Sequence, residues 1–277
     1  MFVDTHCHLD GEEFNEDRVE VMQRAREAGC KAIFLPAIDL LSSQHIVKLA
    51  QQYPDYLYPM IGLHPEEVRD DWREQLAEIK TILPSPLLRP FGSKRAELER
   101  TLHPSPIIAI GEVGLDFYWS REFEKEQLEA FEEQVQWSVE TQLPLMIHCR
   151  KAQNEMVHIL KRYADKLPGG VFHCFTGNEK EAAELLQFDR FVLGIGGVLT
   201  FKRSHLPEVL PTTVPLERLV LETDAPYMAP VPMRGQRNES SYIRYIITRL
   251  AEAYGMDETV ICHHTNENVK KVFGVQV

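Results

Sequence analysis

Short apolar runs, each closed by polar or turn-forming residues, recur along the chain at 2–7, 32–38, 57–64, 107–115, 144–149, 171–176, 191–197 and 219–225. Their lengths and boundaries mark them as strands. Between most of them the apolar positions return every three or four residues, as in Leu128, Phe131, Val135 and Val139, or in Val19, Met22 and Ala25 ahead of the helix-stopping Gly29. Strand then helix, eight times over, predicts an α/β chain folded as a (β/α)8 TIM barrel. The runs are nearly continuous in hydrophobicity, as parallel strands covered on both faces require. An open doubly wound sheet is the competing arrangement. Against it, no Gly-x-Gly-x-x-Gly opens a helix, and the residues that close the runs are of metal-ligand type.

Two stretches depart from the regular alternation. Residues 65–106 form an insertion between the third and fourth runs, with a helix expected over 71–83, prolines at 84, 86 and 90, and a second short helix over 94–102. After residue 225, Ile243, Ile246, Ile247, Leu250 and Tyr254 predict one amphipathic helix, and Val269, Val272 and Phe273 another, which close the last turn of the barrel. No Gly- or Ser-rich linker and no internal repeat interrupts the chain, so 1–277 is expected to be a single domain.

Composition narrows the function. Lys and Arg number 30 against 42 Asp and Glu, a net charge of -12, which excludes a broad basic surface for gripping nucleic acid; a polyanionic substrate must be handled locally. No basic segment followed by an apolar one opens the chain and no long apolar stretch follows, so a cytoplasmic protein without membrane attachment is expected, and nothing indicates an obligate protein partner. The cysteines, Cys7, Cys30, Cys149, Cys174 and Cys262, are scattered and odd in number, which fits reduced thiols.

In barrels of this type the chemistry gathers at the C-terminal ends of the strands. The first run ends in His6 and His8, the third in His64, the fourth carries Glu112, the fifth His148, the sixth His173, and the eighth Glu222 and Asp224. On an extended strand Asp4, His6 and His8 point one way and Cys7 the other, so Asp4 is placed to fix a histidine tautomer from behind. A single strand-end histidine is more often a hydrogen-bonded core residue than a ligand; the joint placement of His6, His8, Glu112, His148, His173 and Asp224 carries the inference of two divalent metals. Imidazoles mixed with carboxylates suit zinc or manganese, with magnesium also open. Glu112, having two carboxylate oxygens, is expected to bridge ions about 3.5 to 4 Å apart. His6, His8 and Asp224 are assigned to one ion, and His148 and His173 to the other.

The cysteines that follow His6, His148 and His173 turn toward the helices by the same alternation and are expected to be packing residues. His64, Arg150, Arg234 and Arg237 are candidate substrate contacts, the guanidinium groups being suited to phosphate. Glu222 is a candidate partner behind a ligand. Phe117, Tyr118 and Trp119 offer faces for stacking on bases, although packing down their own loop is the commoner use of three aromatics.

These residues resemble the TatD-type metal-dependent deoxyribonucleases within the amidohydrolase-like barrels. The motifs are Asp4-Thr5-His6-Cys7-His8-Leu9-Asp10, Gly62-Leu63-His64-Pro65, Ile110-Gly111-Glu112-Val113-Gly114-Leu115-Asp116, His148-Cys149-Arg150, Phe172-His173-Cys174-Phe175-Thr176-Gly177 and Glu222-Thr223-Asp224-Ala225-Pro226-Tyr227, and they span nearly the whole chain. The resemblance implies hydrolysis of DNA from the 3′ end, with Asp224 and Glu112 as catalytic residues. Water held between two such ions has its pKa lowered to about 7, so a bridging hydroxide is the expected nucleophile and Asp224 its proton acceptor.

Three features depart from the family's pattern: the insertion is longer, Lys151 stands where Asp is usual, and Ser240 where Pro is usual. None is a proposed ligand, but the insertion bears on substrate length and strand preference. The same barrel also carries amidohydrolases and esterases of small molecules, and proteins that remove D-amino acids from tRNA. Related amidohydrolases often bridge their metals through a modified Lys on the fourth strand; here 107–115 has no Lys and carries Glu112, which favours the nuclease branch. A metal-binding barrel without catalysis is the remaining reading, and six ligands around an open mouth weigh against it.

Overall fold

A computed structural model describes residues 1–84 and 107–276. Eight strands form one sheet in chain order: β1 (Phe2–Asp4), β2 (Cys30–Pro36), β3 (Leu57–Ile61), β4 (Ala109–Asp116), β5 (Leu145–Arg150), β6 (Gly170–Phe172), β7 (Phe191–Ile195) and β8 (Leu219–Leu221). Each matches one apolar run, helices alternate with them, and the fold is the expected (β/α)8 barrel. The chain divides into two compact units, Met1–Leu35 with Val171–Val277, and Pro36–Gly170.

In the first unit β1 pairs in parallel with β2, placing Val3 beside Ala32 and Asp4 beside Ile33, and β7 pairs in parallel with β8. The Thr5 amide donates to the Leu221 carbonyl at 3.0 Å and Cys7 forms a parallel bridge with Ala225, so the segments after β1 and β8 run side by side. Ile33, Phe34 and Leu35 are fully buried, each worth about 1.5–3 kcal/mol relative to exposure. Helix Arg18–Glu27 buries Val21, Met22 and Ala25. Val19, expected on its inner face with Met22 and Ala25, is exposed, and Val21 is buried in its place. Helices Ile243–Tyr254 and Glu258–Phe273 are the expected tail helices, and they bury Ile246, Leu250, Val269 and Phe273.

In the second unit β3, β4 and β5 are parallel neighbours, with Gly114 opposite His148 and Asp116 opposite Arg150. Gly114 cannot be replaced here: a Cβ would lie 1.8 Å from the His148 carbonyl oxygen. Helix Leu40–Gln52 starts at Asp39, whose side chain accepts from the Ser42 amide in a reciprocal capping box. Helix Trp72–Ile82 realises the helix expected over 71–83, while the helix expected over 94–102 lies outside the described residues.

Several strands are shorter than the apolar runs that marked them. β1, β6 and β8 contain 3 residues each, so His6, His8, His173 and Asp224 stand beyond the hydrogen-bonded ladder on non-strand backbone. Cys174 and Asp224 adopt left-handed conformations, with φ of 49° and 55°, which turn the chain away from the strand direction.

Candidate metal centre

In the first unit the segment after β1 delivers two imidazoles on one side, as alternation required, with His6 Nε2 and His8 Nε2 3.3 Å apart. Each of these nitrogens is 3.7 Å from Asp224 Oδ1. The arrangement is fixed through the backbone, since the Asp224 amide donates to the His6 carbonyl at 2.9 Å. His173 stacks on His6 with ring centroids 3.9 Å apart, and one donor atom each from His6, His173 and Asp224 lie within 4.8 Å of one another. Three such donors converging on one point match the nitrogen and oxygen ligand set of zinc or manganese.

Glu222 is fully buried. Its Oε1 lies 3.4 Å from His173 Nδ1 and accepts from the Cys174 amide, a carboxylate placed to orient a ligating imidazole. Room for it is made by Gly194, where a Cβ would stand 2.1 Å from Glu222 Oε2.

Asp4 is also fully buried, but its bonds differ from those expected. Its carboxylate accepts from the Thr223 amide at 3.0 Å, the Thr223 hydroxyl at 2.7 Å, the Ser240 hydroxyl at 2.6 Å and the His6 amide at 3.3 Å. It therefore positions the backbone carrying His6 and Asp224, in place of the expected hold on a histidine tautomer. Burial raises its pKa from 3.8 to about 7 against the lowering effect of the Ser240 and Thr223 hydrogen bonds.

In the second unit Glu112 and His64 are buried and His148 is half-buried. His148 Nδ1 lies 3.0 Å from Glu112 Oε1, and Nε2 lies 2.9 Å from Asp116 Oδ2. Asp116 is thus an orienting carboxylate behind His148, leaving Nδ1 directed at Glu112. Burial works against its charge, yet the His148 ring, the Tyr118 amide and the Arg150 charge together hold its pKa below the usual carboxylate range. His64 Nε2 is 3.4 Å from Glu112 Oε1, while its Nδ1 accepts from the Glu66 amide at 3.1 Å. That acceptor role leaves the proton of a neutral ring on Nε2, so His64 faces Glu112 as a donor.

The structure brings His6, His8, His173 and Asp224 together in one unit, and His64, Glu112 and His148 in the other. It stacks the Arg150 guanidinium 3.6 Å over the Tyr118 ring and that of Arg234 4.0 Å over Phe201. Arg237, a candidate substrate contact, is engaged within the fold. It binds Asp17 through two hydrogen bonds of 2.8 and 2.7 Å and lies over Phe14, clamping the loop after β8 to the N-terminal segment. Sequence reasoning missed Asp116 and Glu66, which group with His148 as potential ligands; Asp116 ends a quoted motif, and its alternation with Glu112 along β4 was the available signal.

All five cysteines are present as thiols. None joins the potential metal-holding groups among the described residues, and burial pushes the Cys7 thiol well up from its ordinary value, which disfavours a thiolate ligand. No helix among the described residues is long and apolar enough to cross a membrane.

Comparison with known proteins gives a consistent set of relatives. A family model described as TatD related DNase matches residues 3–274. A Bacillus subtilis protein named uncharacterized metal-dependent hydrolase YabD is 34% identical over 275 residues, covering 99% of this chain and 100% of that protein. A protein of Pectobacterium carotovorum named 3'-5' ssDNA/RNA exonuclease TatD is 33% identical, with 98% of each chain covered. The crystal structure of YjjV, a TatD homologue from Escherichia coli, superposes with a TM-score of 0.84 at 28% identity, covering 99% of this chain and 98% of that one.

Proposed function

The chain belongs to the family of TatD-related DNases and is a metal-dependent hydrolase, and from that premise we propose that it cleaves phosphodiester bonds in single-stranded nucleic acid, DNA foremost, from the 3′ end. The observation that carries this is the convergence of His6, His8 and Asp224 donor atoms within 3.7 Å just past β1 and β8, together with the Glu112 and His148 pair at 3.0 Å on β4 and β5. The name of the Pectobacterium relative supports single strands as substrate and keeps RNA beside DNA.

Two divalent ions are proposed: His6, His8 and Asp224 would hold one and His148 and His173 the other, and Glu112 would contribute a carboxylate oxygen to each. The donor sets fit zinc, manganese or magnesium. Bound there, the ions would supply Lewis acidity toward the phosphate and lower the pKa of a bound water to about 7. Asp224, the most exposed carboxylate of its group and set in a left-handed turn, takes the proton lost by the attacking water. Asp116 and Glu222 hold the His148 and His173 rings in orientation. Arg150, which ends β5, and Arg234, in the loop after β8, would neutralise phosphate oxygens. The thiols suit a reducing compartment, and the cytoplasm is the proposed location. One functional domain spanning both compact units is proposed, since the family model runs through both.

The test is incubation of end-labelled single- and double-stranded DNA with the protein and each divalent metal, beside Asp224→Asn. Loss of cleavage by at least about a hundredfold is expected for the variant, the usual scale for removal of an acid–base group. Undiminished cleavage overturns the site.

A further inference from the structure

We propose that Tyr118 and Trp119 form a stacking platform for an unpaired nucleobase of the substrate, with Arg150 bound to it as the cation that meets the adjoining phosphate. This rests on the nuclease reading above and names the feature that selects single strands.

Phe117, Tyr118 and Trp119 divide their work. Phe117 is 7% exposed and packs the loop down, with the Arg121 guanidinium 4.6 Å over its ring. Tyr118 and Trp119 are 49% and 66% exposed, their rings edge to face with centroids 4.8 Å apart. Trp72 and Trp137, at 5% and 0%, are in the core, so Trp119 alone among the three tryptophans offers its face to solvent. Leaving two large aromatics outside costs hydrophobic stabilisation unless they have a partner.

The loop is held in place next to the chemistry. The Phe117 amide donates to the Arg150 carbonyl at 2.9 Å. The Tyr118 amide donates to Asp116 Oδ1 at 2.8 Å, while the other oxygen of the same carboxylate meets His148 Nε2 at 2.9 Å. One carboxylate therefore ties the platform to a candidate metal ligand. The Arg150 guanidinium lies 3.6 Å from the Tyr118 ring centre and 5.2 Å from that of Trp119, a cation on an aromatic surface in a chain of net charge -12.

An aromatic face beside a fixed cation matches a base beside its phosphate. Every base has a π-face, so such a platform tolerates any sequence. In a duplex the bases are already stacked and paired, and they reach it only after unpairing.

The test uses the metal-loaded protein and phosphorothioate-linked oligothymidylate, which resists cleavage. Binding should quench tryptophan emission in the native protein, and Trp119→Leu should abolish the quench. An oligomer of the same length built of abasic units keeps the charge and should leave the emission unchanged. With ordinary single-stranded DNA, Trp119→Leu and Tyr118→Leu should each raise KM about tenfold, the order expected for loss of one stacked base, with kcat within twofold of native; both side chains are exposed, so the fold survives the change. A quench that persists in Trp119→Leu, equal quenching by the abasic oligomer, or unchanged KM in both variants overturns the platform while leaving the nuclease reading intact. Base-dependent quenching by a native protein that cleaves no nucleic acid supports the platform and removes the nuclease reading instead.

Discussion

The carboxylate of Asp4, closed off from solvent and fixed by Thr223, Ser240 and the His6 amide, is expected to make stability depend on pH. Its folded pKa is raised from 3.8 to about 7, by burial first. Between those values the folded state keeps a proton that the unfolded chain has lost, so the contribution is complete below the ordinary value and is lost as pH rises through the folded one. Metal-stripped protein should lose stability by about 1.4 kcal/mol per pH unit across that window, and Asp4→Asn should flatten the slope. Urea midpoints at pH 5, 6 and 7 read this directly; parallel slopes for the two proteins would remove Asp4 as the source. Glu112 raises a different question, because its Oε1 faces both His148 and His64. As the proposed bridge it should be needed more by the ion that lacks Asp224. Glu112→Gln should therefore lose one equivalent of metal to a mild chelator before the other, measured as metal per chain, and equal retention of both ions would rule out bridging.

Helix Glu124–Thr141 carries out, at the scale of an element, what Asp4 does locally. On its buried face stand Gln127 and Gln134. Gln134 takes the Leu63 amide at 2.8 Å and gives to the Leu63 carbonyl at 3.2 Å, and Gln127 takes the Asp116 amide at 3.0 Å. One helix thus sets the backbone just before His64 and at the end of β4. Gln134→Leu leaves a buried amide and carbonyl unsatisfied, at about 1–3 kcal/mol each. Its melting temperature should fall by several degrees and its metal affinity with it, whereas Gln136→Leu, on the exposed face, should change neither. The sequence made Leu128, Phe131 and Val135 visible as an apolar stripe, but a buried glutamine reads as part of the polar face until its distant partner is known. The same limit applies to strand ends. The apolar runs located all eight strands, yet β6 and β8 end at Phe172 and Leu221, ahead of the left-handed turns at Cys174 and Asp224, and neither of these is a glycine that would announce the turn. The candidate ligands were legible because histidine and carboxylate recur at the closing positions. Asp116 behind His148 was less so, because that contact joins two strands.

For the whole molecule the excess of acid matters most, since a net charge of -12 repels a polyanion at long range. Composition alone excluded a basic surface, and the structure is consistent with a few localised cations: Arg150 over Tyr118 and Arg234 over Phe201, with Arg237 committed to Asp17. Two phosphate contacts on a single strand give a slope of log affinity against log salt near -1.4, at about -0.7 per contact. Raising salt from 50 to 200 mM at fixed metal should then raise KM for a single-stranded oligonucleotide roughly sevenfold at most. Screening of the acidic surface works in the opposite direction and makes the observed change smaller still. Arg150→Gln should flatten the dependence by about one contact, while Arg237→Gln should leave the slope alone and lower the melting temperature by loosening the loop after β8. A change of a thousandfold over the same range would mean that the substrate lies along an extended cationic track, and the local account of binding would have to be abandoned.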